Sequence, residues 1–385
     1  MAPFILVVLS SLCADAEDPN AAENAESCLA RTIRALALCK ADLHEMAHIA
    51  EDAAERLSRG GSLLIAGQPS LASELCGRAG GLLMARKMRE EGPGEDDVVL
   101  FGMVPGAGIP DSVAESGALC VVFGANEPGP ARFSNHSAQT GISNTLANVI
   151  SAWVFTAELI GASLRDGKMP VVLETIGLYD GAARNARFAK AGATFHDDCT
   201  LPPQAPGVLG ARYLDAVAAI LRRVETEHRA RLEQIGAWAQ QARASGQHLR
   251  MYTMGHFPPT EVAETAIGRL FESAGWNAGF RTHAVPEHGY APGDLVVHIG
   301  YQHPPTRLLA KAVPVGARVA YVSVRPHRDY VEQDNVIWLD PVWPWSDAVL
   351  DLEDYDVPIL PASGIVNAAI AWEIYRYSGT TTSPK

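Results

Sequence analysis

The stretch from residue 293 to residue 324, GDLVVHIGYQHPPTRLLAKAVPVGARVAYVSV, contains the plan of the fold. The apolar run DLVVHI (294–299) predicts a buried strand, TRLLAKAVP (306–314) predicts a short helix, and ARVAYVSV (317–324) predicts a second strand. A strand, a helix and a strand in this order imply a right-handed crossover between parallel strands. The stretch therefore predicts an α/β domain with a parallel sheet.

The same order of elements continues on both sides of this stretch. Short apolar runs predict further strands at residues 62–66, 98–101, 117–123, 169–173, 249–253 and 335–339. Apolar residues at helical spacing predict helices at residues 24–57, 71–89, 143–164, 213–245 and 262–274. Repetition of this plan predicts two successive α/β domains, residues 17–215 and 216–385, which meet between Gly207 and Arg229.

The composition limits the classes of function. The chain has 385 residues, of which 48% are hydrophobic and 19% charged, and this is enough apolar sequence for two buried cores. Its 44 Asp and Glu residues outnumber its 31 Lys and Arg residues, so that the net charge is −13. A surface that binds nucleic acid would need positive charge in spite of this negative overall charge, and we expect no nucleic-acid partner.

The N-terminal residues have the pattern of a secretory signal peptide. An apolar run, PFILVVLSSLC (3–13), precedes the small-x-small tripeptide Ala14-Asp15-Ala16, although no Lys or Arg precedes the run. We expect cleavage after Ala16 and a secreted or periplasmic protein. The same run also fits a first buried strand, in which case the protein is cytoplasmic. It is too short to span a membrane, and no later run has the ~20 uninterrupted apolar residues of a membrane helix.

The six cysteines indicate neither a disulfide framework nor a metal site. Cys13 belongs to the predicted signal peptide, and the other five show no CxxC motif and no metal-ligand spacing. We expect most of them to be small buried hydrophobic residues, and we expect no metal and no cofactor.

Four predicted strands end in similar turns. Each turn combines a Gly with a Pro and with polar side chains near the start of the next helix: GQPS (67–70), GANEP (124–128), GHFPPT (255–260) and GYQHPPT (300–306). Ligands of open parallel sheets bind beyond the carboxyl ends of strands, where helix N-termini offer free amides. Ordinary strand-to-helix turns favour the same residues, and neither GxGxxG nor GxxxxGKS is present for a nucleotide.

Two segments resemble a known family. Residues 49–75, IAEDAAERLSRGGSLLIAGQPSLASEL, resemble the opening of a sugar isomerase (SIS) phosphosugar-binding domain, and residues 293–324 are similar to the middle of another. The resemblance implies two tandem copies, each with a flavodoxin-like, doubly wound parallel sheet. Where family members carry GxGxS and Ser-x-Ser-Gly turns, this chain has GQPS and GYQHPPT.

The resemblance implies a small sugar or sugar phosphate as ligand, held by hydroxyl groups and helix N-termini, with a homo-oligomer as one possible assembly. It places Ser70, Ser73, Thr260 and Thr306 at the ligand. Position in polar loops and at strand ends adds five further ligand-binding candidates: Ser134, Ser137, Tyr301, Arg184 and Arg325.

The activity implied is aldose–ketose isomerisation, which needs an acid and a base beside the substrate. The candidates near predicted strand ends or in the long polar loop are Glu174, His136, His256 and His303. The alternative is a non-catalytic binding or sensing module. Convergence of these four residues on one pocket would favour catalysis, and their dispersal would favour binding alone.

One motif indicates a third function. His44-Glu45-Met46-Ala47-His48 matches HExxH, which places two imidazoles on one helix face for zinc with Glu as the base. The sequence shows no clear third ligand, and the same residues also fit the solvent face of the first helix. The Trp-rich segment 338–345 fits either sugar stacking or packing.

Overall fold

The first sheet consists of five parallel strands. The computed structural model describes residues 26–125, 127, 129–178, 180–272 and 289–379, and the predicted signal peptide lies outside them. The strands are Leu63–Gly67 (β1), Ala85–Lys87 (β2), Val98–Gly102 (β3), Leu119–Phe123 (β4) and Arg132–Phe133 (β5). Their order is β2-β1-β3-β4-β5, the flavodoxin-like order, and all pairs are parallel.

The second sheet has four parallel strands in sequence order. They are Leu249–Thr253 (β6), Leu295–Ile299 (β7), Arg318–Val322 (β8) and Val336–Leu339 (β9). A small antiparallel pair, Ala348–Leu350 (β10) and Ile359–Pro361 (β11), follows. Parallel sheets with helices between the strands confirm the α/β class.

Twelve α-helices lie in the described part of the chain. They are Cys28–Cys39 (α1), Leu43–Ser58 (α2), Pro69–Leu75 (α3), Asp111–Ala114 (α4), Ser137–Thr140 (α5), Asn144–Arg165 (α6), Gly181–Ala191 (α7), Val208–Ala244 (α8), Pro258–Glu264 (α9), Ala266–Leu270 (α10), Thr306–Ala312 (α11) and Ser363–Tyr377 (α12).

One core joins both sheets. Successive side chains along each strand point to opposite faces of the sheet. On one face of each sheet, Leu100 of β3 and Val297 of β7 belong to the same hydrophobic cluster. Helices α1, α2, α6, α8 and α12 supply much of that cluster. The opposite faces are covered by two smaller clusters, one around Phe101 and one around Leu308 of α11. The sheets therefore share a layer of helices.

Helix α6 is the most buried element of that layer. Every residue from Thr145 to Leu164 is buried. It is the one helix among the described residues that is long and apolar enough to cross a membrane, and its apolar window is entirely buried inside the protein. Continuous burial explains why its apolar residues surround the helix instead of forming one stripe.

A buried ionic cluster ties α3 to the segment before β10. Arg78 donates to Glu74 at 2.8 Å and to Asp347 at 2.9 Å, and all three side chains have no solvent exposure. Arg78 also donates to the Ser363 hydroxyl at 2.6 Å, and Tyr301 donates to Asp347 at 2.5 Å. Buried charges persist only when paired, so this cluster holds the two halves of the chain in one arrangement.

Several predicted elements differ in the structure. The helix predicted at 71–89 is wrong beyond residue 75, because the chain turns at Gly77, which has positive φ, and continues into the edge strand β2. The strand predicted at 169–173 makes only isolated bridges, one of which joins Pro170 to Phe195. The helix predicted at 24–57 is interrupted at Lys40–Asp42 by a 3-10 turn.

The predicted boundary between residues 215 and 216 falls inside α8, whose 37 residues pack against α1, α6 and α12 and against three strands of the second sheet. The division into domains 17–215 and 216–385 stays a prediction.

We expect Arg78→Met to lower the free energy of unfolding by roughly 3–5 kcal/mol, because it leaves Glu74 and Asp347 buried without their cation. Urea unfolding followed by circular dichroism measures the change. Lys40→Ala, which breaks an exposed pair with Asp215, is the matched control. A loss in Arg78→Met no larger than that of the control would contradict the assignment.

Candidate functional site

The strand order reverses between β1 and β3, which is where ligands bind in flavodoxin-like sheets. In this chain the two strand ends are in contact. The amide of Gln68 donates to the carbonyl oxygen of Gly102 at 2.9 Å. A Cβ atom on Gly67 would lie 2.1 Å from the same oxygen, so a residue with a side chain cannot replace Gly67 unless that backbone moves.

Four amide side chains fill the space beside these strand ends. Asn148 donates to Gln68 at 2.9 Å, and Asn135 donates to Asn148 and to Asn144 at 2.6 Å each. Asn144 in turn donates to the carbonyl oxygen of Met103 at 3.0 Å. This amide cluster (Gln68, Asn135, Asn144 and Asn148) satisfies itself, and it occupies the position at which the fold would place a ligand.

Packing of Gly124 against the amide cluster gives a test. Gly124 has φ +81°, and a Cβ atom there would lie 2.7 Å from Oδ1 of Asn148. We expect Gly124→Ala to destabilise the protein by roughly 2–4 kcal/mol, from backbone strain and from displacement of the cluster. Gly167→Ala is the control, because Gly167 has φ +71° with nothing within 4 Å and reports the backbone strain alone. Equal losses of thermal stability in the two variants would show that the cluster is not tightly packed.

The first predicted ligand turn is buried. Ser70 has no solvent exposure, and its hydroxyl has no hydrogen-bond partner among the described residues. Ser73 is exposed and donates to the carbonyl oxygen of His256 at 2.8 Å. Nδ1 of His256 returns a hydrogen bond to the carbonyl oxygen of Ser73 at 3.0 Å. Ser73 and His256 thus join the first turn of one sheet to the first turn of the other.

His136 lies in the long polar loop and pairs with a carboxylate. Its Nε2 is 2.8 Å from Asp42 at the start of α2, and its backbone has φ +59°. Ser134 accepts a hydrogen bond from the backbone amide of His136, and Ser137 begins α5. This pair anchors the loop that leads to α6.

The structure brings His303 and Arg325 together at the ends of β7 and β8. The Arg325 guanidinium lies 4.0 Å from the ring centroid of Trp345, and the His303 ring meets that indole edge-on at 4.9 Å. His303 and Arg325 are exposed. Thr306 is also exposed, at the first turn of α11, whereas Thr260 is half-buried in α9.

Glu174 and Arg184 lie near one another at the edge of the first sheet. Arg184 donates to Asp356 at 2.7 and 2.9 Å and to the carbonyl oxygen of Val172 at 2.7 Å, so its donors are used within the protein. Burial raises the pKa of Glu174, while Arg184 opposes that shift. In the described part of the chain, no hydrogen bond or ion pair joins any two of Glu174, His136, His256 and His303.

The HExxH residues lie on α2. His44, Glu45 and His48 are exposed. Across the described residues, no group of three or more His, Cys, Asp or Glu side chains is arranged to hold a metal ion.

Burial of His256 makes stability depend on pH. Burial and the nearby Arg78 lower the pKa of His256 to about 4. The folded protein therefore binds fewer protons than the unfolded chain between pH 4 and pH 6.5, and stability falls as the pH falls through that range. We expect His256→Gln to remove roughly 2 kcal/mol of the loss of stability between pH 7.5 and pH 5. Urea unfolding at both pH values measures this, with His44→Asn as the exposed control. Parallel profiles for His256→Gln and the wild type would contradict it.

A pocket of about 230 Å³ lies near the N-terminus of α6, beyond the carboxyl end of the first sheet. Three segments line it: the first turn of α1, the loop that enters α6, and the last turns of α12. The lining residues are Cys28, Arg31, Thr32, Gly141, Ile142, Ser143, Leu146, Trp372, Tyr375 and Arg376. It therefore combines two guanidinium groups, three hydroxyls and two aromatic side chains.

The two arginines differ in their partners. Arg376 donates to Glu373 at 3.0 and 2.5 Å, so its charge is compensated. Arg31 donates to the carbonyl oxygen of Gly141 at 3.1 Å and to Sγ of Cys28 at 2.9 Å, but it has no ion pair with a described carboxylate. Its Nε atom is buried without a hydrogen-bond partner. Arg31 is thus a cation at a pocket without a matching anion.

None of the residues predicted to form a site lines this pocket. The expectation followed strand ends, whereas the pocket lies between helix ends. Arg31 belongs to a helix that the apolar periodicity predicted, but α12 was not predicted. A Trp, a Tyr and an Arg at positions 372, 375 and 376 of an apolar helix are the sequence signal that could have indicated it.

Fold and pocket together define an α/β protein with two parallel sheets and an arginine-containing pocket beside the first. No family model matches the chain, and neither does any curated protein. It is similar to the solved C-terminal domain of glucosamine-fructose-6-phosphate aminotransferase from Francisella tularensis, with TM-score 0.42 and 10% identity over 90% of this chain and 95% of that one.

Two further solved structures are similar. A “putative sugar binding protein” from Salmonella typhimurium LT2 has TM-score 0.46 and 10% identity over 92% of this chain and 98% of that one. A “putative phosphosugar isomerase” from Silicibacter pomeroyi DSS-3 has TM-score 0.40 and 14% identity over 91% and 96%. With TM-scores below 0.5, these similarities do not establish a function for this chain.

Proposed function

We propose that this protein binds a small anionic, polyhydroxylated ligand of the sugar phosphate class in the pocket between α1, α6 and α12. The single observation that carries the proposal is Arg31. A half-buried guanidinium without a carboxylate partner is costly, and in a chain of net charge −13 acidic partners are plentiful. We therefore assign Arg31 to the anionic group of the ligand.

The remaining pocket walls suit the other parts of such a ligand. A phosphate can accept hydrogen bonds from Arg31 and Arg376, since a guanidinium presents its donors in a planar fork. Trp372 and Tyr375 meet edge-on at 5.6 Å and offer apolar ring surface to a sugar ring. The phenol hydroxyl of Tyr375 can hydrogen-bond to a sugar hydroxyl. The volume of about 230 Å³ is below the roughly 300–1,000 Å³ of pockets for drug-sized ligands, which favours a monosaccharide.

Binding without isomerisation is the form of the proposal that the contacts support. An isomerase needs its acid and base within hydrogen-bond reach of one substrate. His136 pairs with Asp42, His256 hydrogen-bonds to Ser73, and His303 meets Trp345 edge-on, each at a different place in the fold. This dispersal favours a binding or sensing module over an isomerase, and tandem SIS-like copies stay part of the proposal.

The decisive experiment compares ligands and charge variants. We expect glucose 6-phosphate and fructose 6-phosphate to raise the melting temperature of the wild type, and glucose to have little effect. At a ligand concentration 100 times Kd, binding raises the free energy of unfolding by about 2.7 kcal/mol. Arg31→Gln is expected to weaken binding about tenfold or more in calorimetry, because a charge-assisted hydrogen bond is lost.

Arg223→Gln is the matched control, since it removes one positive charge from an exposed side chain on α8. An equal loss of affinity in both variants would indicate a general effect of charge. The absence of any shift with sugar phosphates or inorganic phosphate would refute the proposal.

A further inference from the structure

Glu261 lies in α9, the helix that follows the first strand of the second sheet, and it contacts two residues that line the pocket. It follows the GHFPPT turn after β6, in α9, and has no solvent exposure. Its Oε1 accepts a hydrogen bond from the indole Nε1 of Trp372 at 2.7 Å, and the hydroxyl of Ser143 donates to the same oxygen. A buried carboxyl thus receives two donors from two different segments.

Both donors form walls of the pocket. Ser143 is the N-cap of α6, and its hydroxyl oxygen also accepts from the amide of Leu146 at 3.1 Å. It ends the loop whose Gly141 carbonyl receives Arg31. Trp372 forms the aromatic wall with Tyr375. Glu261 therefore stands directly behind the pocket and connects the loop to the aromatic wall.

The second carboxyl oxygen has a different environment. Oε2 of Glu261 makes no hydrogen bond of ordinary geometry, and the hydroxyl of Thr145 lies near the carboxyl group. Burial raises the pKa of Glu261, against the hydrogen bonds from Ser143 and Trp372. A proton on Oε2 leaves Oε1 free to accept both donors. The contact with the pocket walls therefore needs an acceptor at Oε1 and does not need the negative charge.

We infer that Glu261 is a positioning residue of the pocket, which holds the loop before α6 and the Trp372 ring in the arrangement that binds the ligand. The inference rests on the proposed function of the same pocket. It also means that the second sheet contributes to ligand binding through its first turn without a residue that touches the ligand. A pocket whose walls are already held in place binds its ligand more tightly, because its side chains and loops lose less conformational freedom on binding.

The test uses two substitutions of similar volume. Glu261→Met removes the acceptor, and Glu261→Gln keeps a carbonyl oxygen at the same place. We expect Glu261→Met to weaken glucose 6-phosphate binding about tenfold, through loss of two hydrogen bonds that set the pocket walls, and Glu261→Gln to bind within about twofold of the wild type. Glu264→Ala, an exposed carboxylate on the same helix, is the control and should bind as the wild type does.

A second readout is independent of ligand. The indole N–H resonance of Trp372, assigned by its loss in Trp372→Phe, should move upfield in ligand-free Glu261→Met and stay in place in Glu261→Gln. An unmoved resonance in Glu261→Met overturns the inference, as does a moved resonance with unchanged affinity. If Glu261→Met does not fold, a tenfold loss of affinity in Glu261→Gln overturns it, because Gln preserves the acceptor. Failure of the wild type to bind any anion refutes the proposed function instead, and the resonance then still shows whether Glu261 holds Trp372.

Discussion

Two parallel sheets that each need cover on both faces share one layer of helices, and the rest of the structure depends on that sharing. Parallel sheets are stable only with both faces buried. The outer faces have small clusters of their own, but the inner faces meet in one core built on α1, α6, α8 and α12. The inner faces of both sheets are buried by the same helices, so the two halves of the chain depend on each other for a buried core.

The shared layer explains where the buried charges lie. Helices that pass between two sheets end at buried positions, and each end has amides or carbonyls that need partners. Glu158 accepts from the amides of Gly207 and Gly210 at 2.7 Å each, at the start of α8. Glu373 accepts from the amide of Cys28 at 2.5 Å, at the start of α1. Carboxylates thus lie at the helix N-termini, where the partial positive charge of the helix favours a negative group.

The sequence predicted β1, β3, β4 and all four strands of the second sheet, but not the edge strands β2 and β5 of the first sheet. The apolar run 98–101 coincides with β3, because a strand buried on both faces consists mainly of apolar residues. Helix α3 ends at Leu75, before the turn at Gly77. Arg78, just beyond that turn, contacts Asp347, 269 residues away, and no local pattern contains that contact. The hairpin of β10 and β11 depends on the same long-range cluster.

The predicted site residues lie outside the pocket for a related reason. The pocket lies near the N-terminus of α6, whose N-cap is Ser143. The general rule about strand ends directed the prediction to the turns after the strands. It could not indicate that Gln68, Asn135, Asn144 and Asn148 satisfy one another at the strand reversal. Four amides scattered over 80 residues show no motif, and their mutual hydrogen bonds exist only after folding.

The position of the pocket follows from which polar groups are already satisfied. At the strand reversal the amide cluster accepts and donates internally, and at the helix starts the carboxylates of Glu158 and Glu373 supply the negative charge. Arg31 lies beside these satisfied groups with no carboxylate of its own among the described residues. With −13 on the whole chain, long-range attraction cannot gather anions, so selectivity has to come from contacts at short range. In the proposed mode of binding, one anionic group is matched to the guanidinium of Arg31, and Glu261 positions the walls around it.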